Sequence, residues 1–307
     1  MAQKNESPVT GSGGLNAFSE DLANTVEAAS ASIVRVDDGS HLTASGTLWS
    51  ADGVVVTTSH GVERDEDLTV ILADGTPHPA TLIGRDGDTD IAVLKIEGAA
   101  GLAAIARAEN TSVRVGQVVL ALGRPGDLGL LATVGIVSAR RDSQTNGHDE
   151  YILSTDADLY PGVSGGALVN AGGGFVGLLN RMYGRGLGVA LGTPLVTRVV
   201  ETLLAHGRIP RGYLGIRTQL VAIPAHLKVT LNLSHTQGLL VVNVDANSPA
   251  EQGGLLMGDT LLSIGGEAVQ DIGTLRRYLH AGQPVPIDIL RGGTLVSITP
   301  TVGTEPA

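Results

Sequence analysis

A serine between glycines is the feature of this sequence that most directly suggests covalent chemistry. The stretch Gly162-Val-Ser164-Gly-Gly166 forms a tight polar turn between two apolar runs. A serine hydroxyl is a weak nucleophile, so it needs a general base and a site for the oxyanion that develops during attack. Neighbouring glycines allow a sharp turn in which backbone N–H groups can point at the reacting carbonyl. Ser164 is therefore a candidate nucleophile, provided that the chain also supplies a base and an acid.

Among the eight histidines, His60 has the position best suited to a general base. It follows the apolar run Val54–Thr58 after a single serine, where a predicted strand enters a short polar turn. A histidine at the end of a strand is held rigidly and still reaches a cleft. His206 and His280 lie near the ends of predicted helices, where a solvated surface role is the better interpretation.

Asp90 is the candidate acid that would orient the imidazole, because it is the last acid before the apolar run Ile91–Ile96. A calcium loop is the alternative, since Asp86, Asp88 and Asp90 alternate and Glu97 occupies the twelfth place. Ile91 stands where such a loop needs glycine, and residues 91–96 have a strand pattern, so we favour the catalytic interpretation and expect no metal.

The pattern Gly162-x-Ser-x-Gly166 also matches the nucleophile elbow of α/β-hydrolases. That elbow requires a helix after the serine and the chain order serine, acid, histidine. Here an apolar strand pattern and the turn Gly172-Gly-Gly174 follow the serine. The order His60, Asp90, Ser164 is instead the order of trypsin-like enzymes.

Twelve short β-type runs surround these residues, punctuated by turns such as Asp52-Gly53 and Asp74-Gly75. Strands at this spacing without intervening helices indicate an antiparallel barrel or sandwich. The runs are Ser32–Val36, Gly46–Trp49, Val54–Thr58, Leu68–Leu72, Ala80–Ile83, Ile91–Ile96, Val113–Leu122, Ala132–Ser138, Tyr151–Ser154, Gly166–Val169, Phe175–Leu179 and Gly188–Leu191.

The sequence divides into two predicted domains with short flanking segments. Residues 1–17 are predicted to be a disordered tail, and the domain of residues 18–206 begins with a helix at Phe18–Ser30 and ends with one at Thr193–His206. Residues 207–212 are a predicted linker. A second, strand-rich domain spans 213–302 with one clear helix, Ile272–Ala281, and residues 303–307 form a tail.

The composition excludes several functions. A net charge of −11 argues against nucleic acid or an anionic membrane as the main partner, because phosphate binding needs clustered Lys and Arg. The chain has no cysteine, which excludes disulfides and thiolate zinc sites. We expect a soluble chain, since no apolar run has the length of a membrane span and no signal-peptide pattern is visible. The compartment stays open, because an anchor or export signal could have been trimmed from a longer precursor.

An ordered set of short motifs resembles the HtrA/Deg family of trypsin-like serine proteases. The later segment Arg211-Gly-Tyr-Leu-Gly-Ile216 resembles the opening of the PDZ domain that follows the protease domain in that family, and the likeness covers roughly residues 18–302. The protease motifs are Ala44-Ser-Gly-Thr47, Thr57-Thr-Ser-His60, Thr89-Asp-Ile-Ala-Val-Leu-Lys-Ile96, Val119-Leu-Ala-Leu-Gly-Arg-Pro125, Gly135-Ile-Val-Ser138, Thr155-Asp-Ala157 and Gly162-Val-Ser-Gly-Gly166.

The resemblance implies an all-β protease domain, a double antiparallel β-barrel of the Greek-key type with its cleft between the barrels, followed by a small α+β PDZ domain. His60 would be the general base, Asp90 its orienting acid and Ser164 the nucleophile, with the backbone N–H groups of Gly162 and Ser164 as the oxyanion hole. The family usually has Asn-Pro-Gly-Asn before the serine, whereas this chain has Tyr160-Pro-Gly-Val163.

Two binding sites follow from the same resemblance. The specificity pocket is expected to be apolar, without an acid to pair with a substrate Lys or Arg. Its expected residues are Leu179, Asn180, Arg181, Val189 and Leu191. In the PDZ domain, the backbone N–H groups of Leu214, Gly215 and Ile216 would hold the carboxylate of a peptide C-terminus.

The implied function is that of an endopeptidase cleaving unfolded or damaged polypeptides without ATP, metal or organic cofactor. The PDZ domain would bind peptide C-termini or regulate activity. The alternative is a peptide-binding or chaperone-like scaffold with a mostly inactive protease site. The family commonly forms trimers through aromatic residues near the start of the protease domain, where Phe18 is the only aromatic here.

Overall fold

The computed structural model describes residues 12–40, 43–108, 113–145, 148–181, 188–210, 212–231, 233 and 236–305. The chain divides into two compact units between Ile209 and Pro210.

The first unit begins with a helix and a closed six-stranded antiparallel barrel in the strand order β1-β2-β3-β6-β5-β4. Because β3 pairs with β6 rather than with β4, the connection after β3 crosses to the far side of the barrel. The elements are α1 (Ser12–Ser30), β1 (Ile33–Asp37), β2 (Thr43–Leu48), β3 (Val54–Thr58), β4 (Leu68–Ile71), β5 (Pro77–Asp86) and β6 (Ile91–Ile96).

A second closed antiparallel barrel follows, with the order β10-β11-β12-β9-β8-β7, and a helix ends the unit. The two six-stranded barrels confirm the predicted all-β double-barrel fold. The elements are β7 (Val118–Gly123), β8 (Leu131–Thr145), β9 (His148–Thr155), β10 (Ala167–Asn170), β11 (Phe175–Asn180), β12 (Gly188–Gly192) and α2 (Thr193–His206).

Both faces of several barrel strands are buried, which explains their continuous apolar sequence. Successive side chains of a strand point to opposite faces. On β3, Val55 packs inside the first barrel, whereas Val54 and Val56 join a larger core with residues of the second barrel and of α2. The two barrels therefore share a hydrophobic core, which holds their facing strand ends in fixed positions.

Helix α1 begins at Ser12, six residues before the predicted start at Phe18, so the described part of the predicted tail, 12–17, is helical. Leu22 and Val26 pack against the shared core. Once such a packed turn is formed, adding further helical residues is far easier than starting a new helix, which accounts for the extension. Residues 1–11 of the predicted tail lie outside the described residues. Of the helices in the described part of the chain, none is long and apolar enough to cross a lipid bilayer.

The second unit is a small α+β domain built on a sheet in the order β14-β15-β16-β18-β19, with β17 paired to β16 and a separate β13–β20 pair. Its core contains Leu239, Leu261, Leu275 and Ile287. The elements are β13 (Gly212–Tyr213), β14 (Ile216–Ala222), α3 (Ala225–Thr230), β15 (Gln237–Val244), α4 (Pro249–Gln252), β16 (Thr260–Ile264), β17 (Glu267–Ala268), α5 (Ile272–Arg277), β18 (Ile287–Arg291), β19 (Thr294–Ile298) and β20 (Gly303–Thr304).

Helix α5 ends at Arg277, four residues before the predicted end at Ala281. The N–H groups of Tyr278 and Leu279 bond to carbonyls three residues back, so the last turn tightens and stops. Helices α3 and α4 were not predicted, because each is too short to show a helical period in the sequence.

Candidate active site

His60 and Asp90 are brought together by the pairing of β3 with β6. Thr58, the last residue of β3, is the register partner of Ile91, the first residue of β6. In an antiparallel pair, the end of one strand lies beside the start of the other. The residue two places after β3 and the residue just before β6 therefore become neighbours, although 30 positions separate them.

Two hydrogen bonds join the catalytic-type pair. His60 Nδ1 lies 2.5 Å from Asp90 Oδ2, and the backbone N–H of His60 donates to Asp90 Oδ1 at 2.9 Å. With Nδ1–H donated to the carboxylate, Nε2 is the nitrogen left to accept a proton. Asp90 itself has a φ of 57°, in the left-handed region that non-glycine residues seldom adopt.

The Asp90 carboxyl is held in its ionised form. Burial opposes the charge, but the hydrogen bonds from the His60 side chain, the His60 backbone and Asn180 outweigh burial and leave the pKa of Asp90 below its ordinary value. An ionised acid at this position favours the imidazolium that a general base must form during catalysis.

Asn180 has a different place from the one predicted. It was expected in the specificity pocket, but its side chain is fully buried and its Nδ2 donates to Asp90 Oδ2 at 2.7 Å. Asn180 ends β11 in the second barrel, and Asp90 belongs to the first. This side chain thus supports the acid from across the cleft, a role that no local sequence signal reveals.

Ser164 lies in the turn that leads into β10, as the glycine pattern predicts. Gly162 and Gly165 have φ values of 84° and 86°, which suit glycine alone. A Cβ at Gly165 would lie only 2.1 Å from the carbonyl oxygen of Ser45. The second glycine is therefore required both by its backbone conformation and by the close approach of β2.

The hydroxyl of Ser164 is 3.2 Å from the backbone N–H of Arg181, which donates to Oγ. Within the described residues, no hydrogen bond joins Ser164 to His60. The structure thus brings His60 and Asp90 into direct contact and places Ser164 in a neighbouring turn. The Ser164 hydroxyl accepts a hydrogen bond from Arg181, the residue that follows β11. Catalytic hydrogen bonds of this kind are often long in the absence of substrate.

The two predicted oxyanion donors are free in the described part of the chain. The N–H groups of Gly162 and Ser164 bond to no described protein acceptor, whereas the N–H of Val163 between them donates to the carbonyl of Tyr160 at 3.2 Å. Both N–H groups are therefore available to an oxyanion as far as the described residues show, and their role as its donors stays a prediction.

The pocket prediction needs correction at two further residues. Leu179 and Leu191 are buried in hydrophobic cores and offer a substrate no accessible surface. The packing of β11 and β12 into the closed second barrel uses these side chains. Arg181 is exposed at the end of β11, Val189 is 8% exposed, and their place in a pocket stays a prediction.

The acids of the calcium-loop alternative form a turn of their own. Asp86 is buried and accepts the Thr89 hydroxyl at 2.7 Å, which braces the segment before Asp90. Among the residues that the structure describes, no group of three or more His, Asp or Glu could hold a metal ion.

Hydroxyls of β2 hold the nucleophile turn from behind. Ser45 Oγ donates to the carbonyl of Gly162 at 2.8 Å, and Thr47 Oγ1 donates to that of Gly165 at 3.0 Å. The backbone N–H of Ser45 also donates to the carbonyl of Ser164 at 3.0 Å. Sequence reasoning missed these contacts; its only signal was the Ala44-Ser-Gly-Thr47 motif.

In the second unit, the predicted carboxylate loop exposes N–H groups in a similar way. The carbonyls of Leu214 and Gly215 accept from Ala250 and Asp245, each at 2.8 Å. In the described region, the N–H groups of Leu214 and Gly215 have no acceptor. Because the N–H of Asp245 donates to the carbonyl of Gly215, Ile216 and its register partner Val244 form a non-hydrogen-bonded pair between β14 and β15. The N–H of Ile216 therefore points away from β15, to the open side of the edge strand β14.

Two family models match this chain. The model described as "Trypsin-like peptidase domain" matches residues 44–178, and the one described as "PDZ domain" matches residues 240–291.

Curated relatives match over most of the chain. A "Probable periplasmic serine endoprotease DegP-like" of Rhizobium meliloti (strain 1021) is 36% identical over 272 residues, covering 86% of this chain and 53% of the relative. "Serine endoprotease DegS" of Salmonella typhimurium (strain 14028s / SGSC 2262) is 33% identical over 276 residues, covering 86% of this chain and 77% of that protein. The chain spans about half the length of the DegP-like relatives.

Solved structures of serine endoproteases are similar to this chain in fold. "HtrA-type protease AlgW with decapeptide" has a TM-score of 0.71 at 30% identity, covering 93% of this chain and 99% of that one. "Crystal structure of the serine endoprotease from Yersinia pestis" has a TM-score of 0.70 at 31% identity, covering 93% and 98%.

Proposed function

The chain belongs to the HtrA/Deg family of trypsin-like serine proteases with one PDZ domain, and from this premise we propose that it is a serine endopeptidase acting through His60, Asp90 and Ser164. The observation that carries the proposal is the His60–Asp90 pair, bonded at 2.5 Å beside a glycine turn that presents a serine and two N–H groups without an acceptor among the described residues. The comparisons favour this function over a scaffold without proteolysis.

In the proposed reaction, Ser164 Oγ attacks the peptide carbonyl while His60 Nε2 takes the hydroxyl proton. The carbonyl oxygen becomes an oxyanion that accepts hydrogen bonds from the N–H groups of Gly162 and Ser164. The imidazolium then gives the proton to the leaving amine, and the acyl-enzyme forms. Water, deprotonated by His60, cleaves that ester and restores Ser164.

The Ser164 hydroxyl accepts the Arg181 N–H through a lone pair and keeps its own hydrogen, which it donates to His60 Nε2 once the two groups come within hydrogen-bond reach. Because the backbone of Ser164 is held by β2, we infer that a rotation of its side chain brings Oγ to Nε2. Substrate binding in the cleft would supply that reorientation.

Unfolded or partly folded polypeptide is the proposed substrate. An extended chain can enter a cleft between barrels, whereas a folded protein does not present its peptide bonds. Acceptance of aliphatic residues before the cut follows from the apolar character of Val189, and burying an unpaired substrate Lys or Arg there would be costly. A trimer is the assembly that family membership suggests, and Phe18 is 47% exposed on α1.

In the PDZ domain, we infer that a peptide C-terminus adds a strand to the free edge of β14. Its carboxylate would accept hydrogen bonds from the N–H groups of Leu214, Gly215 and Ile216, which face away from β15 or lack other acceptors in the described chain.

The test of the protease proposal is digestion of casein by wild type and by Ser164→Ala, with labelling by a fluorophosphonate probe. Ser164→Ala should lose nearly all turnover and all labelling at unchanged thermal stability, because only one hydroxyl is removed from the turn. Ser143→Ala, at an exposed position of β8, is the matched control and should behave as wild type. Unchanged labelling of Ser164 in His60→Ala would contradict the proposed triad.

A further inference from the structure

The buried hydroxyl of Ser45 is the point where the first barrel, the segment after β7 and the nucleophile turn meet. It donates to the carbonyl of Gly162 and accepts the backbone N–H of Arg124, both at 2.8 Å. We propose that Ser45 is a positioning residue for the oxyanion hole, which it controls by fixing the orientation of the Gly162–Val163 peptide. The inference rests on the proposed protease function.

The peptide unit after Gly162 is held at both of its polar groups, although Gly162 itself has a freely rotating backbone. Glycine lacks the side chain that limits backbone rotation, and Gly162 has a φ of 84°. Because a peptide unit is rigid and planar, holding its carbonyl and its N–H fixes the whole unit. Ser45 holds the carbonyl of Gly162, and Tyr160 accepts the N–H of Val163.

The hydrogen-bond partners of the Ser45 hydroxyl determine the direction of its hydrogen. A hydroxyl has one hydrogen to donate and can accept at its lone pairs. Since Arg124 N–H occupies the acceptor side, the single hydrogen is directed at the Gly162 carbonyl. Arg124 is itself anchored, because its Nε donates to the carbonyl of Ile33 at 2.8 Å.

The surroundings of the Ser45 hydroxyl are closely packed. Ser45 is fully buried, and a Cβ at Gly123 would lie 2.9 Å from its hydroxyl oxygen. The hydroxyl is thus closely packed against the backbone of Gly123. The hydroxyl therefore determines the position of one carbonyl, and through it the geometry of the two N–H groups on either side of Val163.

These contacts matter most when negative charge forms, because the two N–H groups bind the oxyanion more strongly than the neutral carbonyl oxygen of the bound substrate. Ser45→Ala would leave the Gly162 carbonyl and the Arg124 N–H without their partner, and the turn would lose its alignment. Loss of a direct oxyanion donor typically lowers kcat by about 100- to 1,000-fold. For a residue that aligns those donors, we expect a fall of about 10- to 100-fold with KM within about twofold.

The experiment compares wild type, Ser45→Ala and Thr193→Val on a fluorogenic peptide, together with inhibition by a peptide aldehyde. The aldehyde forms a reversible hemiacetal in which Ser164 Oγ bonds to carbon, the proton moves to His60, and the oxyanion needs the same donors. Thr193→Val is the matched control, because its buried hydroxyl also donates to a backbone carbonyl, that of Phe175, away from the turn. In Ser45→Ala, the inhibition constant of the aldehyde should rise by the factor by which kcat/KM falls; in Thr193→Val neither should change.

Ser45→Cys provides a second variant of nearly the same shape, with a thiol that is only a weak donor. It should retain the fold and lose rate and aldehyde affinity together, which covers the case in which Ser45→Ala does not fold. The inference would be overturned if the Ser45 variants cleaved as fast as Thr193→Val. It would also be overturned if they cleaved more slowly but bound the aldehyde as tightly as wild type. If wild type cleaves no substrate, the proposed protease function is contradicted, and the inference about Ser45 fails with it. If wild type is active, the function stands and the variants test the role of Ser45 alone.

Discussion

The carboxylate of Asp90 receives hydrogen bonds from both barrels, and its environment shows how a single residue is prepared for catalysis. His60 supplies a side-chain and a backbone donor from the first barrel, and Asn180 supplies Nδ2 from the second. The segment after β3 and the end of β11 thus both hold the Asp90 carboxylate, although the imidazole of His60 contacts only one carboxylate oxygen.

Asn180→Ala would remove the donor that the second barrel supplies to the Asp90 carboxylate. A hydrogen bond to a charged group contributes about 1.5–3 kcal/mol, so removing this donor should lower stability and reduce kcat by about tenfold with little change in KM. Because the lost bond favours the ionised form, the pKa of Asp90 should rise, which a carboxyl carbon NMR titration measures directly. Asn170→Ala, which removes an amide that caps a turn in the same barrel, should affect stability without affecting the Asp90 pKa. An unchanged Asp90 pKa in Asn180→Ala would rule out this role.

At the scale of elements, the nucleophile turn and β2 are packed so closely that their backbones are in direct contact. The carbonyls of Gly162, Ser164 and Gly165 all receive donors from Ser45 or Thr47. The turn is therefore part of the contact between the barrels, and its conformation depends on β2 as much as on its own sequence.

Gly165→Ala should be strongly destabilising and inactive, because the new Cβ would lie 2.1 Å from the Ser45 carbonyl oxygen. Gly173→Ala is the matched control: its φ of 81° imposes similar strain, but the nearest atom to a Cβ there is 3.7 Å away. Left-handed strain alone costs roughly 1–2 kcal/mol, so Gly173→Ala should lose about that much and keep its activity. Urea unfolding of both variants, with casein digestion, measures the difference. Equal stability losses would show that the contact with β2 is not tight.

A second element-scale prediction concerns the edge strand β14. A peptide ending in a free carboxylate after an apolar residue should bind the full-length chain, and its C-terminal amide should bind at least tenfold more weakly, because an uncharged group gains less from converging donors. Gly215→Ala should abolish binding, since a Cβ there would lie 2.3 Å from Ser248 Cβ at a φ of 79°. Fluorescence titration of a labelled acid and its amide against Ser164→Ala protein avoids cleavage during the measurement. Equal affinity of acid and amide would mean that these N–H groups do not bind a carboxylate.

At the scale of the whole molecule, the acidic composition is combined with carboxylates that the fold keeps ionised. Asp38 accepts backbone N–H groups of Ser40, Glu63 and Arg64, and Asp259 is bonded to Arg291 by two hydrogen bonds at 2.7 and 2.8 Å. Burial opposes the charge in both cases, but these hydrogen bonds outweigh it and lower the pKa of each carboxyl below its ordinary value.

The corresponding prediction is a loss of stability in acid. A carboxyl whose folded pKa lies below its unfolded value stabilises the fold above the unfolded pKa, and that contribution is lost as pH falls through the folded value. The free energy of unfolding should therefore be level from about pH 7 to pH 5 and fall below about pH 4. In Asp259→Asn, the unfolding transition of the second unit should show a lower free energy of unfolding at pH 7. That free energy should also fall less steeply in acid than in wild type. Urea unfolding across this pH range measures both, and an equally steep acid loss in Asp259→Asn would contradict the assignment.

Much of the molecule follows from local sequence. The runs Val54–Thr58 and Ile91–Ile96 become strands with the predicted bounds, and Thr193–His206 becomes the predicted helix. Apolar pattern and turn residues suffice for these elements, because hydrophobic burial and backbone preference act over a few neighbouring positions. The candidate base and acid follow from the same pattern, since they stand where a strand ends and where its partner begins.

Tertiary structure decided the contacts between distant segments. Ser45 and Gly162 are 117 positions apart, and Asn180 and Asp90 are 90 apart. Which side chain meets which carbonyl depends on barrel register and on the packing of one barrel against the other, and neither leaves a local pattern in the sequence. The same reason explains why Leu179 and Leu191 are buried rather than facing a substrate, and why the Ser164 hydroxyl contacts the Arg181 N–H: each outcome is set by the closing of a sheet whose strands are far apart in the chain.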